Sequence, residues 1–244
     1  AETKISAGSY DLNKWLHGGY DADIITTIYG PAGSGKTNFC LLVAVSQAKK
    51  GNKVIFIDTE GGFSIERVKQ IAGEFLQQVL DNILVLKPTS FPEQERAFQK
   101  LLQEIKEKRN IGVIIVDGAT MLYRLELAEA VKGKDDAKIR EINSKLAEQL
   151  RILTEISRKR NIPVIVTNQV YSEFLSKQEY EAGKEKQVHM VGGDILSYWS
   201  KCIIELQNLQ GKKKAILRKH RSLPEKEMQY VITAAGIERS RRFW

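Results

Sequence analysis

The chain has 244 residues, and its 38 Lys and Arg against 30 Asp and Glu leave a net charge of +8 and a pI near 9.3. Hydrophobic residues make up 42% and charged residues 28%, a globular balance that excludes wholesale disorder. No apolar run approaches the roughly 20 residues of a bilayer span, and the N-terminal AETKISAGSY lacks a signal-peptide core. A soluble cytoplasmic protein without membrane contact is therefore expected, with Cys40 and Cys202 as buried thiols of a reducing compartment.

Residues 1–23 read as a lead-in, and from residue 24 apolar, β-branched runs alternate with amphipathic stretches. Strands are expected at 24–29 (IITTIY), 54–57 (VIFI), 83–86 (ILVL), 111–116 (IGVIIV) and 162–167 (IPVIVT). Helices are expected at 36–50, 64–79, 91–109 and 138–160. Continuously apolar strands separated by helices predict an α/β fold, a mostly parallel central sheet covered on both faces. After residue 200 the pattern changes to three shorter runs, CIIEL, KKAILR and MQYVIT, which predict an antiparallel extension. The chain thus reads as one domain, 1–244, with an α/β core over 24–200 and a β extension with a basic tail over 201–244. The stretch 170–192, rich in Glu, Lys and Gln, is the longest irregular segment.

The run IITTIYGPAGSGKTNF meets G-x-x-x-x-G-K-[ST] at Gly30, Gly35, Lys36 and Thr37, with a strand before it and a helix after it. Gly30, Pro31, Ala32, Gly33, Ser34 and Gly35 would form a loop whose amide N–H groups surround phosphate oxygens at the positive end of the helix. Lys36 should reach the β- and γ-phosphates of ATP, and the Thr37 hydroxyl should ligate Mg²⁺. A glycine-rich turn that binds nothing is the alternative.

An Mg²⁺-nucleotide site also needs a carboxylate from a neighbouring strand. IGVIIVDGAT ends an apolar strand on Asp117, a Walker B pattern. The run VIFIDTEGGFSIER ends likewise on Asp58 and Glu60. If its strand lies beside the Walker B strand, Glu60 stands at the carboxyl edge of the sheet, where it can deprotonate a water attacking the γ-phosphate. The other reading makes Glu60 a helix N-terminal acid favoured by the dipole. Asp58 is expected to make local hydrogen bonds. In IPVIVTNQV the strand ends on Asn168-Gln169, an amide pair able to report the γ-phosphate or simply to close a turn.

GPAGSGKT, IDTEGGFSIER, VIIVDGATMLYR, VTNQV and MVGGDIL, in this order, resemble the ATPase core of the RecA/RadA recombinase superfamily over nearly all of the chain. The late LRKHRSLPE is most similar to its archaeal RadB branch. The resemblance implies that Glu60 is the catalytic glutamate, Gln169 the γ-phosphate sensor and Arg67 a cation lying against the adenine. A salt bridge from Arg67 to Glu66 or Glu74 is the plainer reading. The resemblance also places DNA-binding loops at about 124–137 and 171–191. The chain begins almost at the core, so the N-terminal helical domain and aromatic linker of RadA-type recombinases are expected to be missing. Filament formation and strand exchange are then expected to be slight. The implied role is an ATP-binding, DNA-binding accessory of recombination and repair with slow ATP hydrolysis, partnered by single-stranded or branched DNA and by a RadA-type recombinase or a junction-processing nuclease. The alternatives are a non-enzymatic mediator with ATP as a structural ligand, and a signalling ATPase.

In GKKKAILRKHR (211–221) six of eleven residues are Lys or Arg. Lys212, Lys213, Lys214, Arg218, Lys219 and Arg221 are candidates for sequence-independent contacts with DNA phosphates. A solvated edge strand with lysines against aggregation is the competing reading, and Lys219 or Arg221 reaching a neighbour's ATP is a third. Tyr123, Tyr171, Phe174 and Tyr180 are candidates for stacking on bases, whereas Trp15 and Trp199 read as core or near-core.

Overall fold

In a computed structural model, described over residues 3–172, 188–190 and 193–241, the strand–helix alternation folds as a large sheet with helices on both faces. The lead-in supplies β1 (Lys4–Ile5), α1 (Tyr10–Trp15) and β2 (Tyr20–Asp21), with β1 and β2 paired antiparallel as a separate ribbon. The core strands are β3 (Ile25–Gly30), β4 (Lys53–Asp58), β5 (Ile83–Leu86), β6 (Ile111–Asp117) and β7 (Val164–Ser172). Between them run α2 (Lys36–Lys49), α3 (Ile65–Ala72), α4 (Leu76–Asn82), α5 (Phe91–Glu107), α6 (Met121–Lys132) and α7 (Asp136–Arg160). After β8 (Val188–Met190) and α8 (Gly193–Trp199) come β9 (Cys202–Leu209), β10 (Lys212–Lys219), β11 (Lys226–Thr233) and β12 (Gly236–Arg239).

The strand order is β12-β11-β10-β9-β3-β7-β6-β4-β5, with β8 antiparallel on the end of β7. Every pair from β9 to β5 is parallel, and β9 to β12 form an antiparallel meander. This is the expected architecture. The apolar runs are continuous because each strand is buried on both faces, and alternate residues enter different cores. Val54, Phe56, Val113 and Ile115 join α2, α3 and α4 on one side, while Ile55, Ile57, Ile114 and Val116 join α5, α6 and α7 on the other. Helix α2 is apolar around its circumference and buried from Phe39 to Val45, as a helix between sheet and outer helices must be.

Four features depart from the sequence reading. The helix expected at 64–79 breaks at Gly73, whose φ of 59° is open to glycine, and resumes as α4. The β extension has a fourth strand, β12. From residue 3 the lead-in carries elements that the sequence reading did not assign, its helix capped by Ser9, which accepts from the Leu12 amide at 3.3 Å. The segment 124–137 is helical through Lys132, then turns tightly into α7, whose cap Asp135 accepts from the Lys138 amide. Leu122, Tyr123, Leu127 and Ala130 hold α6 against the core, so this stretch is a packed helix. Of the segment 171–191, β7 runs to Ser172 and Tyr171 pairs in register with His189. Residues 173–187 and the side chains of Tyr171, Phe174, Tyr180 and His189 lie outside the described residues.

Candidate nucleotide-binding site

The loop between β3 and α2 is shaped by its own backbone. Gly33 and Gly35 have φ of 76° and 104°, conformations open to glycine. Gly30 is constrained differently: a Cβ there would lie 2.6 Å from the Leu206 carbonyl oxygen on β9. Ser34, fully buried, donates from Oγ to the Pro31 carbonyl at 2.7 Å, and the Tyr230 hydroxyl donates to the Ser34 carbonyl at 2.6 Å. Ala32 and Gly33 form the exposed rim. Lys36, in the first turn of α2, donates from Nζ to the carbonyls of Gly30 at 2.7 Å and Pro31 at 3.0 Å. Burial lowers the pKa of this ammonium, and the nearby Glu60 and Asp117 carboxylates oppose the shift.

The parallel register brings the carboxylates to this loop. Asp58 of β4 stands opposite Asp117 of β6, and Gly30 opposite Gln169 of β7. The Thr37 hydroxyl donates to Asp117 Oδ2 at 2.8 Å, and the Thr167 hydroxyl donates to Oδ1 at 2.6 Å. Asp117 is wholly buried, which raises its pKa, while the hydroxyls of Thr167 and Thr37 pull it back. Asp58 accepts from the amides of Gly61, Gly62 and Phe63 at 2.9, 3.2 and 3.0 Å, so it shapes the turn after β4 as expected. Thr59 joins that turn to the one after β6: its hydroxyl donates to the Gly118 carbonyl at 2.7 Å and accepts from the Gly118 amide at 3.0 Å.

This stitching sets Glu60 over the end of β6, half-buried, where a Cβ on Gly118 would lie 3.1 Å from its Oε1. Its carboxyl pKa is raised, first by burial and then by Asp117, while Lys36 and a hydrogen bond from Gln169 act in the opposite sense. Glu60, Gly118, Thr120, Arg124, Asn168 and Gln169 line a cavity of about 30 Å³, room for a water. The amide pair after β7 divides its tasks: Gln169 meets Glu60, and Asn168 accepts from the buried Thr120 hydroxyl. Gly62 packs so closely on Thr37 that a Cβ would lie 3.0 Å from its Oγ1.

Arg67 leaves this cluster sideways. Its Nε donates to Asn38 Oδ1 at 2.8 Å, Nη2 to the Thr233 carbonyl at 2.8 Å and Nη1 to the Ala234 carbonyl at 3.1 Å. It thereby ties α3 to α2 and to the turn between β11 and β12, and the described contacts pair it with neither Glu66 nor Glu74.

The basic stretch lies apart, on and after β10. Lys214 pairs with Glu227 at 3.1 Å, and Arg218 with Glu205 at 2.7 Å and Glu225 at 3.0 Å. Lys219 Nζ donates to the Ser197 carbonyl, and Arg221 grips both carboxylate oxygens of Asp23 at 2.9 and 2.6 Å. His220 Nε2 meets the buried Asp21 at 3.0 Å while its Nδ1 accepts from the amides of Ser222 and Leu223. Among the described residues Lys212 and Lys213 alone of the six phosphate candidates have no side-chain partner. Tyr123 donates to Asn143 Oδ1 at 2.7 Å, which makes it a packing residue of the α6–α7 contact.

The P-loop residues, Asp117, Glu60 and Gln169 thus converge at one sheet edge. The sequence reading missed Thr167, Thr59, Arg124 and Tyr230. Thr167 was within reach, because pairing Val116 with Val166 sets the next residues, Asp117 and Thr167, side by side. The site suits an Mg²⁺-nucleotide on its own geometry: glycines where side chains would intrude, and a hydroxyl beside a buried carboxylate. No group of three or more His, Cys, Asp or Glu able to hold a metal occurs among the described residues.

Fold and edge together define a P-loop α/β domain of nucleotide-binding type. The chain belongs to the Rad51 family, whose model matches residues 2–240. It is 39% identical over 230 residues to the DNA repair and recombination protein RadB of Methanobrevibacter smithii, covering 93% of this chain and 92% of that one. Identity to the RadB of Methanococcoides burtonii is 42% over 228 residues, with 93% of each chain covered. For Methanocaldococcus jannaschii RadB it is 40% over 227 residues, covering 93% and 98%. The chain is thus RadB-like. No helix among the described residues is long and apolar enough to cross a membrane.

Proposed function

We propose that this chain binds MgATP and DNA, assists homologous recombination and repair, and hydrolyses ATP slowly with little strand exchange. The observation that carries the reading is the buried Asp117 carboxylate fixed by Thr37 and Thr167, with Glu60 and Gln169 lining the adjoining cavity. The relatives' names, DNA repair and recombination proteins, support the cellular role.

In this reading the loop 30–35 and the N-terminus of α2 receive the phosphates. Thr37 and Asp117 would hold Mg²⁺, which when bound neutralises charge on the β- and γ-phosphates. Lys36 exchanges the Gly30 and Pro31 carbonyls for phosphate oxygens. Glu60 orients a water and takes its proton, which its raised pKa suits. Gln169 gives its amide hydrogens to the γ-phosphate and, in doing so, releases Glu60. A base shared in this way supports slow turnover. Arg67, held at the β11–β12 turn, offers its guanidinium face to the adenine. Lys212 and Lys213 supply phosphate contacts, and Lys214, Arg218, Lys219 and Arg221 contribute only where DNA displaces their present partners. A RadA-type recombinase or a junction-processing nuclease is the protein partner this role implies.

One feature favours the second reading, a mediator that uses ATP as a structural ligand: Arg67 and Tyr230 fasten the nucleotide loop region to the β extension, which would give nucleotide occupancy a structural consequence there. ATP hydrolysis measured with and without single-stranded DNA, with light scattering alongside, separates the readings. Slow, Lys36-dependent hydrolysis without filaments is expected. No hydrolysis with intact binding selects the mediator, and strongly DNA-stimulated hydrolysis with filaments would make the chain a strand-exchanging recombinase.

A further inference from the structure

A cavity of about 580 Å³ lies far from the phosphate loop. Its floor is the start of β3 at Ile24 and Ile25, while the phosphate loop follows the other end of that strand at Gly30, some ~20 Å away at strand spacing. Its walls are the C-terminal turn of α7, the end of α8 and the first residues after it. The volume is that of a small-ligand pocket, and the chemistry of its walls is specific. Tyr198 is 73% exposed, a large aromatic surface left to solvent at the rim. Half-buried Trp199 stands edge-on to it with ring centroids 5.2 Å apart.

Two exposed cations share the lining with these rings, Arg158 from α7 and Lys201 from the turn into β9. Among the described residues neither makes an ion pair within 4 Å, although Arg158 lies near enough to Asp23 to lower its carboxyl pKa. The one acid of the lining, Asp23, is held bidentately by Arg221 at 2.9 and 2.6 Å and also feels the charge of Arg158, so the lining sets three cations against one carboxylate. The lining is therefore net positive, with an exposed ring and cations that come from separate elements.

We propose that this cavity is a binding site for single-stranded nucleic acid, with a base stacked on Tyr198 and successive phosphates on Arg158 and Lys201. An acidic protein segment would satisfy the cations and leave the ring unused. A strand uses both, because every base has a face to stack and every link carries a phosphate. The inference rests on the DNA-binding reading above and locates that activity on a surface other than Lys212–Lys213.

The test is fluorescence anisotropy of the full chain with a short labelled oligo(dT), titrated at several salt concentrations. Neutralising both cations (R158Q with K201Q) should flatten the log–log salt dependence by about 0.7 for each phosphate no longer neutralised. Tyr198→Ala should weaken binding roughly tenfold with the salt slope kept, and Tyr198→Phe should restore it. An abasic strand should bind the parent as weakly as oligo(dT) binds the alanine variant. If the parent binds oligo(dT) and these variants match it in affinity and slope, the site is wrong while DNA binding stands. If the parent binds no oligonucleotide even at low salt, the DNA-binding reading fails as well. Displacement of oligo(dT) by poly-glutamate as efficiently as by unlabelled oligo(dT) would show an acidic protein segment to be the occupant, and overturns the proposal.

Discussion

Thr167→Val removes one hydroxyl from the centre of the site at almost constant shape. The hydroxyl donates to Asp117 Oδ1 at 2.6 Å in a place where both residues are fully buried, so no solvent water replaces it. A hydrogen bond to a buried charged group is worth about 1.5–3 kcal/mol. The added methyl returns about 0.8 kcal/mol of apolar burial. The difference predicts a loss of about 1–2 kcal/mol in denaturant unfolding of the nucleotide-free protein. Asp117 would keep only the Thr37 hydroxyl on Oδ2, so its carboxylate should also hold Mg²⁺ less well. Outer partners of metal ligands typically matter by about 10–100-fold in affinity, and Mg²⁺-dependent nucleotide binding by calorimetry should weaken by about tenfold. Thr167→Ser keeps the hydroxyl and should recover most of both losses. A valine variant as stable as the parent, with the same Mg²⁺-dependent affinity, would refute the assignment of Thr167 as the group that positions Asp117.

Three further outcomes are expected. Lys36→Ala should abolish ATP binding in equilibrium dialysis, and unchanged affinity would remove the phosphate site. Glu60→Gln should bind ATP normally and lose hydrolysis by about 10²-fold or more. Because the Glu60 carboxyl is raised in the folded protein, it favours folding below the ordinary carboxylate range and loses that contribution as pH rises through its folded value; nucleotide-free Glu60→Gln should therefore gain stability relative to the parent from acid to neutral pH, and a pH-independent difference in denaturant midpoints would contradict the shift. Neutralising Lys212 and Lys213 to Gln should lower the salt slope of single-strand binding by about 0.7 for each lysine that meets a phosphate, and identical slopes would assign both lysines to solvent.

The legible parts of the molecule were those whose chemistry is local in sequence. The phosphate loop was readable residue by residue, because its glycines, lysine and threonine occupy one turn. Asp117 and Glu60 were readable as acids at the ends of apolar runs, although their meeting depended on β4 lying beside β6. Helix α6 stayed hidden because exposed Leu125 and Val131 blur its apolar stripe. The lead-in ribbon was too short to show a period. The basic stretch misled most about charge. Glu227, Glu205 and Asp23 neutralise Lys214, Arg218 and Arg221 only through strand register or across nearly the whole chain, and no composition count contains that information.

The same distance in sequence concealed how the β extension enters the nucleotide site. Tyr230 on β11 is buried against Phe39, with ring centroids 5.4 Å apart, and its hydroxyl holds the Ser34 carbonyl. Two residues on, Ile232 leaves so little room that a Cβ on Gly35 would lie 2.8 Å from its Cδ1. The next two carbonyls, of Thr233 and Ala234, take the Arg67 guanidinium. The phosphate loop is therefore clamped between α2 beneath it and β11 beside it. Because β11 pairs with β10, Lys213 stands opposite Tyr230, which puts the basic start of β10 one strand away from the residue that holds the loop.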